Sequence, residues 1–204
     1  MNIMSPGKNT RAESYRRMED GTKEEYLLLK ELAKPFKAQT ADRILAYLPN
    51  LAESFPGMAV DRYVHSLQTA TQAHRAGESE EFVVAALIHD IGDLLCPDNH
   101  ALMAAEMLKP YVSPEVYWMI VHHNLFQGYY FFHHYGKDRN MHDRFRGHPC
   151  YQMTADFCAK YDQTAFDPNM DTMPLEAFAP MVRRVFGREP WGPQTKTEQF
   201  PSGY

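Results

Sequence analysis

The run VVAALIHDIGDLL, residues 83 to 95, is apolar on nearly every face of the helix it would form, yet it sets a histidine beside an aspartate at His89 and Asp90. A helix apolar all round is a buried helix. An unpartnered carboxylate in such surroundings costs on the order of several kcal/mol, so something must compensate Asp90. The candidates are an arginine, a helix end or a metal cation, and imidazole next to carboxylate is a donor set that suits iron, manganese or zinc.

The rest of the chain reads as helix around this segment. No stretch keeps the strict apolar/polar alternation of a strand, so the fold is expected to be all-α. KEEYLLLKELAKPF and TADRILAYLPNLAES are amphipathic, each stopped or kinked near a proline. A third helix is expected from about Val60 to Arg75 with Gly77 beyond its end, a fourth from about Glu80 to Leu95 before Pro97, and a fifth over roughly 99–109. Ser113 as N-cap and Pro114 at the first helical position open a sixth, which carries His122 and His123. FFHHYGKDRNMHDRFRG is polar and glycine-punctuated, hence a lid-like connection. PCYQMTADFCAKYDQ gives a further helix carrying Asp162, and PLEAFAPMVRRVFG a last one between Pro174 and Gly187. The domain organisation expected is a polar leader over 1–21, a single helical domain over 22–191 and a tail over 192–204.

Composition narrows the function. With 204 residues and a formal net charge of -5, the chain has no uniform basic field to attract nucleic acid or anionic lipid. No uninterrupted apolar stretch reaches ~18 residues, which points to a cytoplasmic protein without a membrane span. Three cysteines, Cys96, Cys150 and Cys158, form no C-x-x-C and are read as reduced packing residues. Ten histidines, all of them from residue 65 to residue 148, mark where chemistry is to be sought.

Singly, each candidate has a structural explanation: His65 a hydrogen-bonded core histidine, His100 an exposed first-turn residue, Asp162 a cap or ion-pair partner. Together His65, His89, Asp90, His100, His123 and Asp162 supply six N/O donors from separate helices, which is how bundles build two-metal carboxylate–histidine sites.

On these residues the chain resembles the HD-domain superfamily, named for its adjacent His-Asp pair, and within it the mixed-valent diiron oxygenases, which include myo-inositol oxygenase and phosphonate-cleaving enzymes. The matching segments are VHSLQTATQAHRAG, VVAALIHDIGDLL, NHALMAAEML, MIVHHNLF and CAKYDQTAFDP, spanning about residues 60 to 190. The resemblance implies an HD-domain helical bundle with a dinuclear site in its core, two iron ions (Fe2+/Fe3+), and O2 as co-substrate. It makes His123 rather than His122 the ligand. Asp90 would bridge the metals, His65, His89 and Asp162 would serve one, and His100 and His123 the other, so that Asp90, His100 and His123 carry the chemistry. The expected reaction is oxidative cleavage of the C–P bond of a small 1-hydroxyphosphonate, with 1-hydroxy-2-(trimethylamino)ethylphosphonate, giving glycine betaine and phosphate, as the preferred case. The alternative is an HD-type phosphohydrolase acting on a nucleotide or small phosphoester.

The substrate is expected to be held by cations near the site. Lys137, Arg139, Arg144 and Arg146 follow the His123 helix, and Lys160 lies close to Asp162. The chain departs from the aminohydroxyethylphosphonate-cleaving relative where Asp93 replaces a histidine, Phe55 and Met58 replace a tyrosine and a glutamate, and Gln127 replaces a phosphonate-binding lysine. These positions are candidate substrate contacts. Asp93, together with the rings of LFQGYYFF, favours a cationic head group.

Overall fold

The computed structural model describes residues 15–195. The chain divides by its internal contacts into two compact units, one up to Thr40 and one from Ala41 onward. The first contains α1 (Lys23–Ala38), which continues through Pro35. Its start is a capping box: Thr22 Oγ1 accepts from the Glu25 N–H at 3.2 Å, and the Glu25 carboxylate accepts from the Thr22 N–H at 2.8 Å. Of the expected leader and tail, residues 1–14 and 196–204 lie outside the described residues.

The second unit is built from α2 (Thr40–Tyr47), α3 (Arg62–Arg75), α4 (Glu80–Ile88), α5 (His100–Leu108), α6 (Pro114–Phe131), α7 (Tyr151–Phe157) and α8 (Leu175–Phe186). There is no strand among the described residues, in accord with the all-α expectation. None of the described helices is long and apolar enough to cross a membrane. Every residue of α4 from Phe82 to Ile88 is buried, as its lack of a polar face requires. α3 packs on α4 and α5 on α6, and α8 ties Arg184 to the first turn of α4, with Nε donating to Glu80 at 2.9 Å.

Two departures from the expected helices position the site. α4 was expected to reach Leu95 but ends at Ile88, although the apolar pattern continues. Residues 89–95 wind on as tight turns, with the N–H of Ile91, Asp93 and Leu95 donating to the carbonyls of Ile88, Asp90 and Gly92. The helix expected over PCYQMTADFCAKYDQ is likewise not uniform. α7 passes into a π-turn over Cys158–Asp162, where the Gln163 N–H reaches back to the Cys158 carbonyl at 3.0 Å. Such turns bulge a helix by one residue and recur at functional sites.

The irregular chain beyond this turn is held by the polar face of α3. Gln68 Nε2 donates to the Asp167 carbonyl (2.6 Å), Gln72 Nε2 to the Tyr161 carbonyl (3.1 Å), and Thr71 Oγ1 accepts from the Met173 N–H (3.0 Å). Gln68, Gln72 and Thr71 of α3 thus satisfy backbone groups that would otherwise be left unpaired.

Candidate metal centre

The six candidates come from five places in the fold: His65 from α3, His89 and Asp90 from the end of α4, His100 from the first residue of α5, His123 from the middle of α6, and Asp162 from the end of the π-turn. Their tips converge. Asp90 Oδ2 lies 3.5 Å from His65 Nε2 and 3.3 Å from His89 Nε2. Its other oxygen, Oδ1, lies 3.4 Å from His100 Nε2 and 3.5 Å from His123 Nε2. Asp162 Oδ1 completes the first group, 3.2 Å from His65 Nε2 and 3.7 Å from His89 Nε2. Asp90 therefore stands between two sets of donors and turns one oxygen to each. His65, His89, Asp90, His123 and Asp162 are buried, and His100 is half-buried.

The backbone decides which ring nitrogen each histidine presents. Nδ1 of His65 lies 2.9 Å from the Ala165 carbonyl, that of His89 2.8 Å from Ala86, that of His100 2.9 Å from Pro97, and that of His123 2.7 Å from Ile120. A carbonyl oxygen only accepts, so each Nδ1 carries the proton and each Nε2 turns its lone pair to the centre. Four such nitrogens and two carboxylates then converge with few protons among them, and Nε2 of His65 and His89 approach to 3.2 Å. A cation relieves this, and the donor set fits one: overlapping triads of His65/His89/Asp162, His89/Asp90/His123 and Asp90/Asp93/His100 could each hold a metal ion.

The electrostatics agree. Burial pushes down on the His89 imidazole, but the Asp90 and Asp162 carboxylates outweigh it and hold its pKa well above the usual histidine range. Burial alone would raise Asp90, yet His89, His123 and Arg62 draw it well below the usual carboxylate range. Asp162 is lowered too, by His65 and His89 against its burial.

Two features set the His100 side. Gly92 lets the turn after α4 touch the start of α5: a Cβ there would lie 2.7 Å from His100 Cα and 2.9 Å from the His100 carbonyl oxygen. Gly92→Ala should therefore displace His100 and lower bound metal from two per chain toward one with the helical content kept, as metal analysis and circular dichroism would read. The second feature is Asp93, which is buried and committed to its neighbours, with Oδ1 3.2 Å from His100 Nδ1 and Oδ2 2.7 Å from Arg62 Nε. It fixes the ring and holds an arginine rather than facing open space. Arg62 also donates from Nη1 to Asp90 Oδ2 at 3.2 Å. Sequence reasoning gave Arg62 no role, although it lies three residues before His65 and so on the same face of α3.

A cavity of about 410 Å³ opens onto the centre and is lined in part by Asp90, His100, His123 and Asp162. Phe55, Met58 and Gln127 line it as expected, joined by Arg62, Asn124, Tyr130, Phe131, Tyr135, Gln163 and Phe166. Phe166 also stacks on the His65 ring, centroids 4.3 Å apart. Lys137, Arg139, Arg144, Arg146 and Lys160 are not brought to the cavity, and Asp93 is not part of its wall. Each of the five cations has a partner elsewhere. Lys137 and Arg144 sit over the rings of Phe132 and Phe145, and Arg139 donates to the Tyr129 carbonyl while stacking on its ring. Arg146 pairs with Asp143 and Lys160 with Asp156, both at 2.9 Å. His122 turns away from the centre into an aromatic cluster, stacked on Trp118 at 4.0 Å.

Residues 62–149 match the family model of the HD domain. The match contains all the candidate donors except Asp162. No curated protein matches the chain. Residues 62–149 are thus similar to an HD domain, a class composed largely of metal-dependent phosphohydrolases and related enzymes, and the chain's buried histidines and aspartates could hold a metal.

Proposed function

We propose that this protein is an O2-dependent dinuclear iron oxygenase that cleaves the C–P bond of a small 1-hydroxyphosphonate. The observation that carries the reading is the asymmetry about Asp90. One side has three further donors, His65, His89 and Asp162, whereas the other has His100 and His123 alone, Asp93 being engaged with Arg62 and with Nδ1 of His100; His100 and His123 both line the cavity, and of the first set only Asp162 does. A metal held by the poorer set keeps positions for an outside ligand, and the cavity delivers it there. Bound iron would supply the redox chemistry with dioxygen that the oxidation needs. His65, His89 and Asp162 would anchor the saturated side, while His100, oriented by Asp93 and the Pro97 carbonyl, and His123, oriented by the Ile120 carbonyl, would keep their lone pairs aimed at the reactive side.

The preferred substrate is 1-hydroxy-2-(trimethylamino)ethylphosphonate, which with O2 gives glycine betaine, phosphate and a proton. Its hydroxyl and phosphonate would face the metals and its head group the aromatic wall formed by Tyr130, Phe131, Tyr135 and Phe166. A quaternary ammonium offers no N–H to a hydrogen-bond acceptor, and rings attract it by roughly 0.5 to 2 kcal/mol each. The alternative favoured by the HD-domain match is hydrolysis of a phosphoester, with metal-activated water as nucleophile. Arg62 is the one Lys or Arg side chain lining the cavity among the described residues, which suits a compact monophosphonate better than a nucleotide polyphosphate. We expect a higher kcat/KM for the trimethylamino phosphonate than for its primary-amine analogue. Preference for the primary amine, or turnover of phosphoesters alone, would overturn the assignment.

A further inference from the structure

Arg62 is placed to do more than neutralise its neighbours. Its guanidinium spends Nη1 on Asp90 and pairs Nε with Asp93, while no hydrogen bond of Nη2 is found among the described residues. The side chain is 17 % exposed and lines the cavity together with His100 and His123. Its central carbon lies over the Phe55 ring, 5.2 Å from the centroid. Asp90 and Asp93, which align the guanidinium, are both buried, so the fork is held in place before any ligand arrives, which is what makes arginine an effective oxyanion holder.

The charge balance points the same way. Asp90, Asp93 and Asp162 bring three negative charges to the centre, and Arg62 brings one positive charge. Two divalent ions would add four, leaving a net surplus of two positive charges facing a cavity with no carboxylate other than Asp90 and Asp162 in its wall. A dianionic tetrahedral ligand matches that surplus. We infer that Arg62 is the residue that binds the substrate's oxyanion, donating from Nη2 to a phosphonate oxygen beside the metals, with Asp93 holding the guanidinium in register. This deepens the proposed function and rests on it only for the cavity being the substrate site.

The test uses metal-loaded protein with ferrous iron under argon and methylphosphonate as probe, read by titration calorimetry with bound iron measured on each sample. In Arg62→Gln we expect methylphosphonate affinity to fall by about ten-fold or more, the size of a lost charge-assisted hydrogen bond, with iron retained. The double variant Arg62→Gln/Asp93→Asn separates binding from charge balance. If Arg62 only neutralised Asp93, removing both would restore affinity; the inference requires it to stay weak. Arg62→Lys, which keeps the charge and loses the fork, should fall between. Absence of methylphosphonate binding in the wild type, variants within about two-fold of wild type, restored affinity in the double variant, or iron loss in both Gln variants would overturn the assignment. Binding that depends on Arg62 in a protein that shows no O2-dependent turnover would refute the oxygenase reading while leaving this one standing.

Discussion

Asp90→Ala is expected to remove metal from both halves of the centre at once. Each oxygen of Asp90 lies within 3.3 to 3.5 Å of a different pair of imidazole nitrogens, whereas Asp162 reaches only the first pair and Asp93 only His100. Without it, two cations would face each other across the gap with their shared counter-charge gone, and the Arg62 guanidinium would lose its Nη1 acceptor and add a further positive charge. Losing a supporting contact to a metal ligand typically costs about 10–100-fold in affinity or activity, and removal of a shared ligand should exceed that. Bound metal should fall from two per chain to near zero, and activity with it. Asp162→Ala offers the contrast, because its carboxylate reaches His65 and His89 alone and should unload only that side. Metal analysis of the two purified variants, each checked for helical content, measures the difference. An Asp90→Ala protein that keeps both ions would exclude the bridging role.

Phosphate release from the hydroxyphosphonate is expected to stop under argon and resume on admission of air, with one O2 consumed per phosphate and no need for 2-oxoglutarate or a reductant at each turnover. Converting the C1 carbinol of the phosphonate to a carboxylate and breaking its bond to phosphorus removes four electrons, the number that dioxygen accepts. One oxygen atom enters the carboxylate and the other the phosphate, so no external donor or acceptor is required. Hydrolysis has the opposite signature, since a metal-bound water with its pKa drawn toward neutrality needs no oxygen. An anaerobic rate equal to the aerobic one would assign the centre to phosphoester or phosphonate hydrolysis.

The candidate metal donors were legible because burial is written into their surroundings. His89 and Asp90 interrupt a helix with no polar face, and His65 and His123 lie among residues that pack, so each is costly unless it has a partner. The course of the backbone around them was less legible. The apolar pattern runs on through Ile91, Leu94 and Leu95, and nothing in it marks that α4 tightens into turns at His89 or that Gly92 meets His100. The π-turn that delivers Asp162 has no periodicity of its own, and is fixed by Gln68, Gln72 and Thr71 reaching across from α3.

Substrate contacts were the least legible, because nearness in sequence says nothing of direction. Lys137, Arg139, Arg144 and Arg146 follow the helix of His123 yet turn to rings, a carbonyl and Asp143 outside the cavity. Asp93, one helical turn beyond His89, was expected at the substrate but is held by Arg62 and His100. Arg62 itself is found only by following that pair back to α3.

The most direct test of a dinuclear redox centre is metal analysis combined with electron paramagnetic resonance of the partly oxidised protein. The account predicts two irons per chain and the signal of a spin-coupled mixed-valent pair, abolished in Asp90→Ala. A fully active protein holding a single metal per chain, or one holding two redox-silent ions, would contradict it.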